Sequence, residues 1–380
     1  MLGDFRPIRR LGAALALLLA VTLTGAPEAR TKKAARKPSN TLKQISDEAR
    51  VTIIQHAQVW TPTTVSEMDL RLGPQGEGAF QPNAAVSCDY VEEKLDGSSP
   101  KFDCRLDDGS VVKVKYGLGG EVQGEVLSTR LLWALGFGAD RMYPAVVTCR
   151  GCSVDPWNKR RSVAETHVFE RAVIERKAAG RAIETKKTKG WAWPELEFVD
   201  RTLGGAPIEQ RDALKLLAVF IQHSDSKPEQ QRLACLGRHD EVDEEGNRAG
   251  LCAKPFMLLN DVGQTFGKAN LYNRDNVSAA NFEGWSKTKV FENGEACVGN
   301  ISLSGTGTLD HPKISEAGRA FLTGLMTQLT DGQLHDLFEV ARVELRSRKP
   351  GSGEAPASID EWVAAFKNKR DEIANRRCGA

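Results

Sequence analysis

The sequence predicts an α+β fold stapled by disulfides, with a strand-rich N-terminal part that contains one early helix and a mainly helical C-terminal part. Three observations predict it. Alternating apolar and polar residues around an Asp-Gly turn dominate positions 51–116, which is the period of half-buried strands. Helical patterns occupy 207–222, 314–329 and 331–346. All eight cysteines lie at or beyond position 88, an even number that reads as a disulfide framework. The 380 residues are 41% hydrophobic and 27% charged, enough for one large domain or for two lobes with a core each. A formal charge of +2 makes no case for nucleic acid or an acidic membrane surface as the main partner.

Positions 1–29 have a cationic start (Arg6, Arg9, Arg10), an Ala- and Leu-rich apolar run over 11–23, and small residues near Ala26 and Ala29. That is the three-part order of a secretory signal peptide, so a secreted or periplasmic location is expected. The run falls short of the ~20 residues that a spanning helix needs, and no stable membrane span is expected after its removal; an uncleaved anchor is the alternative. Residues 30–50 read as a flexible basic leader, with six Lys and Arg between 30 and 43 and no apolar period.

The strand-rich part, 51–175, has β-like runs at 85–91, 101–106 and 111–116, the last two joined by the hairpin signal Asp107-Asp108-Gly109. A loop at 117–120 leads to a helix over 121–135, where Val126, Leu127, Arg130, Leu131 and Ala134 keep helical spacing until Gly136 ends it. Strand-like runs return at 145–148 and 166–174. The helical part, 176–349, holds a strongly apolar helix over 207–222 with Pro207 suited to its first turn. Beyond Gly263 a polar stretch reaches Pro312, and helices over 314–329 and 331–346 follow. Residues 350–380 hold a linker and a last helix to Asn375, opened by a capping box of Ser358 and Glu361.

The expected disulfides are Cys88 with Cys104 across a hairpin, Cys149 with Cys152 or a nearby partner, Cys235 with Cys252 closing an insertion, and Cys297 with Cys378 tying down the C-terminus. Cys149-Arg150-Gly151-Cys152 also has redox and half-zinc readings. No second pair at metal-ligand spacing accompanies it in the sequence.

Chemistry-bearing residues concentrate after the apolar helix, in His223-Ser224-Asp225-Ser226-Lys227-Pro228-Glu229-Gln230. The apolar run Pro255-Phe256-Met257-Leu258-Leu259-Asn260 then ends in Asp261-Val262-Gly263. The first stretch resembles the protein-kinase catalytic loop His-Arg-Asp-Leu-Lys-Pro-Glu-Asn, and the second the later metal-binding Asp-Phe-Gly. A lysine strand at 111–116 and a Glu-bearing helix ending in Leu-Gly widen the resemblance, over roughly 111–267, to the atypical kinases grouped around HipA, the phosphoinositide kinases and the secretory-pathway kinases. The resemblance implies a two-lobed kinase-like fold, with a strand-rich N-lobe and a mainly helical C-lobe.

It also implies roles. Asp225 would orient the acceptor and Lys227 would offset charge on the transferred group. Asp261 and Gln230 would hold Mg²⁺ or Mn²⁺. Lys115, or Lys113 on the same strand face, would contact the ATP phosphates with Glu125 as partner and Glu121 as the alternative. Gln230 stands where the family has Asn, one methylene too long for an ideal metal ligand, and Gln231 is its neighbour alternative. The insertion 232–254 separates the two motifs more widely than in ordinary kinases. Gly73, Gly76 and Gly78 lie far before the lysine strand and read as a turn or as a phosphate loop.

The function expected is an exported, ATP- and metal-dependent phosphotransferase acting on an unknown protein or small-molecule acceptor. Two alternatives stand beside it: a catalytically silent secreted binding protein, and another transfer, such as adenylylation or glutamylation, on the same scaffold. A polar turn stopped by Pro228 is the bland reading of the central motif. His223 reads as a brace of the loop, and Trp191, Trp193 and Trp285 as core aromatics.

Overall fold

In the computed structural model the first element among the described residues is a helix, α1 (Asp47–Gln55), where composition predicts leader up to residue 50. Ser46 caps it, its Oγ accepting from the Ala49 N–H at 3.1 Å, and Asp47 and Glu48 suit the positive end of the helix dipole. Ile53 and Ile54 are buried, and the Arg50 guanidinium forms a two-pronged pair with Glu195. These contacts are with residues far along the chain, so local composition does not reveal them. The structure describes residues 45–97, 99–117, 119–158, 165–236, 252–267, 279–302, 305–348 and 353–379, all within one unit, Asn40–Ala380. The signal-peptide reading, the leader to residue 44 and most of the insertion lie outside the described residues.

The alternating runs form strands as expected. β1 (Ala84–Val91), β2 (Lys101–Leu106) and β3 (Val111–Lys115) pair antiparallel in chain order. In the β2–β3 turn the Leu106 N–H donates to the Ser110 carbonyl at 2.8 Å, and Gly109 takes φ +81°, a conformation that strains other residues. α2 (Gly120–Ala134) follows, buried on nearly every side, then β4 (Arg141–Cys152) and β5 (Glu165–Arg176), both longer than their apolar cores suggest. The strands close into a barrel in the order β1-β2-β3-β5-β4, with β1 and β4 parallel. Phe102, Val112, Val114, Val147, Phe169 and Ile174 fill the barrel core.

The rest of the chain holds a small antiparallel sheet of β6 (Arg181–Ala182), β7 (Gln231–Cys235) and β8 (Pro255–Leu259). Around it lie α3 (Ile208–Phe220), α4 (Phe282–Ser286), α5 (Glu316–Met326), α6 (Asp331–Val340) and α7 (Ile359–Asn375). Pro207 is the N-cap of α3, one position before the first turn. α6 stops at Val340, short of the helix expected to Arg346, because Arg342 enters the left-handed region at φ +59° and a 3-10 turn follows. Ser358 and Glu361 form the expected capping box of α7. Trp285, Phe220, Phe266, Phe338, Trp362 and Phe366 pack ring against ring between these helices, and Trp191 and Trp193 are buried nearby.

The mixed α/β chain carries four disulfides: Cys88–Cys104, Cys149–Cys152, Cys235–Cys252 and Cys297–Cys378. No helix among the described residues is long and apolar enough to cross a membrane. Cys297–Cys378 spans 81 residues, so in the chain-entropy account its loss costs about 4.5 kcal/mol, against about 3 for the 17-residue Cys235–Cys252 span. A Cys297→Ser/Cys378→Ser variant is expected to unfold at clearly lower urea, by roughly that amount; a midpoint equal to the parent's would refute the clasp.

Candidate functional site

α3 is apolar along most of its length and ends where Gln222 turns left-handed at φ +55°. The His223 N–H reaches back to the Ala218 carbonyl at 2.8 Å, and the chain leaves as a polar loop. Two anchors hold that loop. On one side the buried His223 ring sits beside Trp193, with ring centroids 6.2 Å apart. The Gln231 amide serves both rings when its oxygen accepts from Trp193 Nε1 at 3.0 Å and His223 Nε2 at 3.1 Å. On the other side Ser226 Oγ accepts from the N–H groups of Thr308 (3.1 Å) and Leu309 (3.0 Å).

Asp225 and Lys227 lie between the anchors and stay partly exposed, with Lys227 Nζ 3.3 Å from Asp225 Oδ2. Gln230 closes the loop by donating its amide to the same Asp225 oxygen at 2.7 Å. The Gln230 carbonyl accepts from the backbone N–H groups of Asn260 (3.0 Å) and Asp261 (3.2 Å). Pairing of β7 with β8 thus joins the two sequence motifs through the backbone, although 36 positions separate Asp225 from Asp261. Gln231 opens β7 and is engaged with His223 and Trp193, so Gln230 is the amide at Asp225.

The second half of the site is a buried charge cluster. Lys115, at the end of β3, forms ion pairs with Glu125 of α2 and with Glu175 of β5, the latter at 3.2 Å. Lys113 lies 3.6 Å from Glu175, and Lys177 bridges Glu175 (2.5 Å) and Asp140 (2.8 Å). Asp261 joins through the approach of α2: a Cβ on Gly124 would meet the Gly263 carbonyl at 2.4 Å, and one on Gly263 would meet Glu121 and Glu125. Thr265 Oγ1 donates to the Val262 carbonyl at 2.7 Å and lies 2.7 Å from Ser128 Oγ of α2.

The electrostatics centre on the Lys115 ammonium among three acidic groups, with Lys113 and Lys177 at the edge of the cluster. Burial disfavours the Lys115 ammonium, yet Glu125, Glu175 and Asp261 hold its pKa well above the usual lysine value. Burial would raise Glu175 and Asp261, but Lys115 brings both below the usual carboxylate range, with Lys177 and Lys113 adding to the effect on Glu175. Burial pushes Glu125 up, with Lys115 opposing and with Asp261 and Glu175 adding to the rise. Lys101, the β2 partner of Lys115 in register, is lowered by burial and then by the nearby Lys115 and Lys113.

Sequence reading missed Glu175, Lys177 and Lys101, which enter through cross-strand register. In that register Lys113 is opposite Glu175 and Lys101 is opposite Lys115, while Lys177 follows the end of β5. The glycine-rich segment makes its contacts elsewhere: Gly73 packs on the buried Arg130 guanidinium, Tyr143 donates to the Pro74 carbonyl at 2.6 Å, and Gly78 lies near Arg176.

No family model and no curated protein matches the chain. Among solved structures it is similar to the Helicobacter pylori proinflammatory kinase CtkA, at 8% identity over 77% of this chain and 96% of that one, with a TM-score of 0.40. At that level the likeness carries no argument about this chain's chemistry.

Removing Lys115 would leave Glu125 and Glu175 buried without their shared cation, a loss of about 3–5 kcal/mol for a broken buried pair. Lys115→Ala is therefore expected to be strongly destabilised in urea titration, and a loss under 1 kcal/mol would contradict the cluster's role. His223 supplies a pH test, because burial lowers its pKa to about 4 from an ordinary 6.5, with Asp225 and Asp261 opposing. Its contribution is present in full above pH 6.5 and is lost as pH falls toward 4, about 3 kcal/mol at ~1.4 kcal/mol per unit. A His223→Asn variant should lose less stability than the parent between pH 7 and pH 4.5; equal losses would sink the assignment.

Proposed function

We propose that this chain is an exported ATP- and metal-dependent phosphotransferase of atypical kinase-like, two-lobed organisation, with 51–175 as N-lobe and 176–349 as C-lobe. The observation that carries the reading is convergence. The Lys115–Glu125 pair and the Asp261 carboxylate share one buried set of charges, and the Asp225–Gln230 loop is tied to Asp261 through the Gln230 carbonyl. Phosphoryl transfer needs that inventory and little covalent chemistry from the protein.

Lys115 would hold the ATP phosphates, kept charged by its carboxylates and aimed by Glu125, with Lys113 adding positive charge at the strand. Asp225 would accept a hydrogen bond from the acceptor hydroxyl and take its proton as the new oxygen–phosphorus bond forms and the bond to the leaving ADP oxygen breaks. Lys227 would offset charge on the transferred group. Asp261 with the Gln230 amide oxygen offers an oxygen donor set that suits a hard divalent ion, Mg²⁺ or Mn²⁺. The Gln230 nitrogen already faces Asp225, which leaves its oxygen for another partner. Such an ion would neutralise phosphate charge. The four disulfides suit an oxidising compartment, secreted or periplasmic. The acceptor is a protein or a small molecule.

One observation favours the silent binding protein instead. Asp225 is already engaged by both Gln230 and Lys227, an arrangement that satisfies the carboxylate without substrate.

Thermal unfolding of the oxidised chain with ATP, with and without Mn²⁺ or Mg²⁺, tests the reading. A ligand at ~100 times its dissociation constant adds about 2.7 kcal/mol. A metal-dependent rise that disappears in Asp261→Ala is expected, with Asp225→Asn keeping nucleotide binding and losing transfer of the terminal phosphate. Absence of any nucleotide-dependent rise would overturn the enzyme reading, and binding without transfer by the parent would favour the silent protein.

A further inference from the structure

Three cysteines meet inside the barrel, and a fourth is bonded to one of them. Cys104 on β2, Cys88 on β1 and Cys149 on β4 stand on three neighbouring strands, and Cys88 and Cys149 are Cα partners in the parallel β1–β4 ladder. The three Sγ atoms all lie within 4.8 Å of one another. Cys104 and Cys149 belong to different disulfides, yet their sulfurs are 3.7 Å apart. Cys152 lies outside that trio but is bonded to Cys149 through a turn in which Gly151 takes φ +72°, so once reduced it is the next sulfur along the chain. None of the four is more than 1% exposed.

This spacing has a chemical meaning. A tetrahedral Zn²⁺ with Zn–S bonds of about 2.3 Å sets its sulfur ligands about 3.8 Å apart. Cys104 and Cys149 already stand at that separation, without a bond between them. The Cys149-Arg150-Gly151-Cys152 motif lacks a second ligand pair along the chain, but closure of the barrel supplies one in space, because Cys88 and Cys104 lie on the two strands beside β4's end of the sheet order. The remaining pairs, Cys235–Cys252 and Cys297–Cys378, are not part of this sulfur group.

We propose that Cys88, Cys104, Cys149 and Cys152 are a redox-selected thiolate site that takes one Zn²⁺, or another soft tetrahedral ion, when the two disulfides among them are reduced. Reduction consumes four electrons and four protons, supplied by two molecules of an external dithiol that become disulfides themselves. Metal binding then releases the four thiol protons to solvent as the thiolates ligate the ion. The oxidised chain uses the same sulfurs for covalent bonds, so disulfides and metal exclude one another. The proposal is independent of the phosphotransferase reading.

The test uses the full mature chain, reduced, freed of reductant and kept without oxygen. Titration with Co²⁺ should give the visible absorption of a tetrahedral tetrathiolate complex, saturating at one equivalent and displaced by Zn²⁺. A Cys235→Ser/Cys252→Ser variant and a Cys297→Ser/Cys378→Ser variant should keep the band, and Cys149→Ser should lose it. Because Cys149→Ser could fail to fold, thiol alkylation read by mass spectrometry provides a second measurement on the unaltered chain. Zn²⁺ should cause loss of labelling at Cys88, Cys104, Cys149 and Cys152 relative to a chelator control, while the other four cysteines label in both. No tetrathiolate band, or an identical labelling pattern with and without Zn²⁺, would overturn the site and leave two stacked disulfides.

Discussion

The Lys115 ammonium is the constraint on which the rest of the molecule depends. It is buried where water cannot screen it, and it answers to carboxylates from three elements: Glu125 on α2, Glu175 on β5 and Asp261 after β8. Like charges in a low-dielectric setting repel strongly, so these elements can share one place only while a cation stands among them. Lys115 is therefore one shared tie among the barrel, α2 and the loop beyond the small sheet. Lys113 and Lys177 also pair with Glu175, which Lys115 approaches at 3.2 Å.

A second constraint is steric. Gly124 in α2 and Gly263 after Asp261 let two backbones touch without side chains between them. Charge attracts the two segments and the missing Cβ atoms permit the approach. The loop that carries Asp225 is built on the opposite plan. His223 and Ser226 are buried and fastened, while Asp225 and Lys227 between them remain partly open. Rigid supports with accessible side chains are what a site needs if its groups are to keep their geometry when a ligand arrives.

The local part of this architecture was legible in the chain. The β2–β3 hairpin was written in alternation and an Asp-Gly turn, and α2, α3 and α7 in helical spacing and caps. The contact of Lys115 with Glu125 could be anticipated, since the helix follows the strand within a few residues. What depends on long-range register could not. Glu175 meets Lys113 only because β5 lies beside β3, and no local pattern encodes that neighbour. α1 was hidden because its burial is against residues near 195, and β7 because five residues following a proline turn carry little period of their own. The four-sulfur group was concealed for the same reason: one CxxC is visible in sequence, and its companions arrive by barrel closure.

The aromatic core of the helical part has a consequence for how the molecule comes into being. Trp285, Phe220, Phe266 and Phe338 find their partners in Trp362 and Phe366 of α7. During synthesis from the N-terminus, those earlier rings emerge well before the helix that covers them. A nascent chain halted ahead of Trp362 would present a broad greasy surface to its surroundings, the kind that chaperones grip and that aggregates form upon. The barrel, whose strands all precede residue 177, has no such debt to the last helix. Maturation should thus proceed in two stages, with the strands settling early and the helical part waiting for the ribosome to deliver its lid.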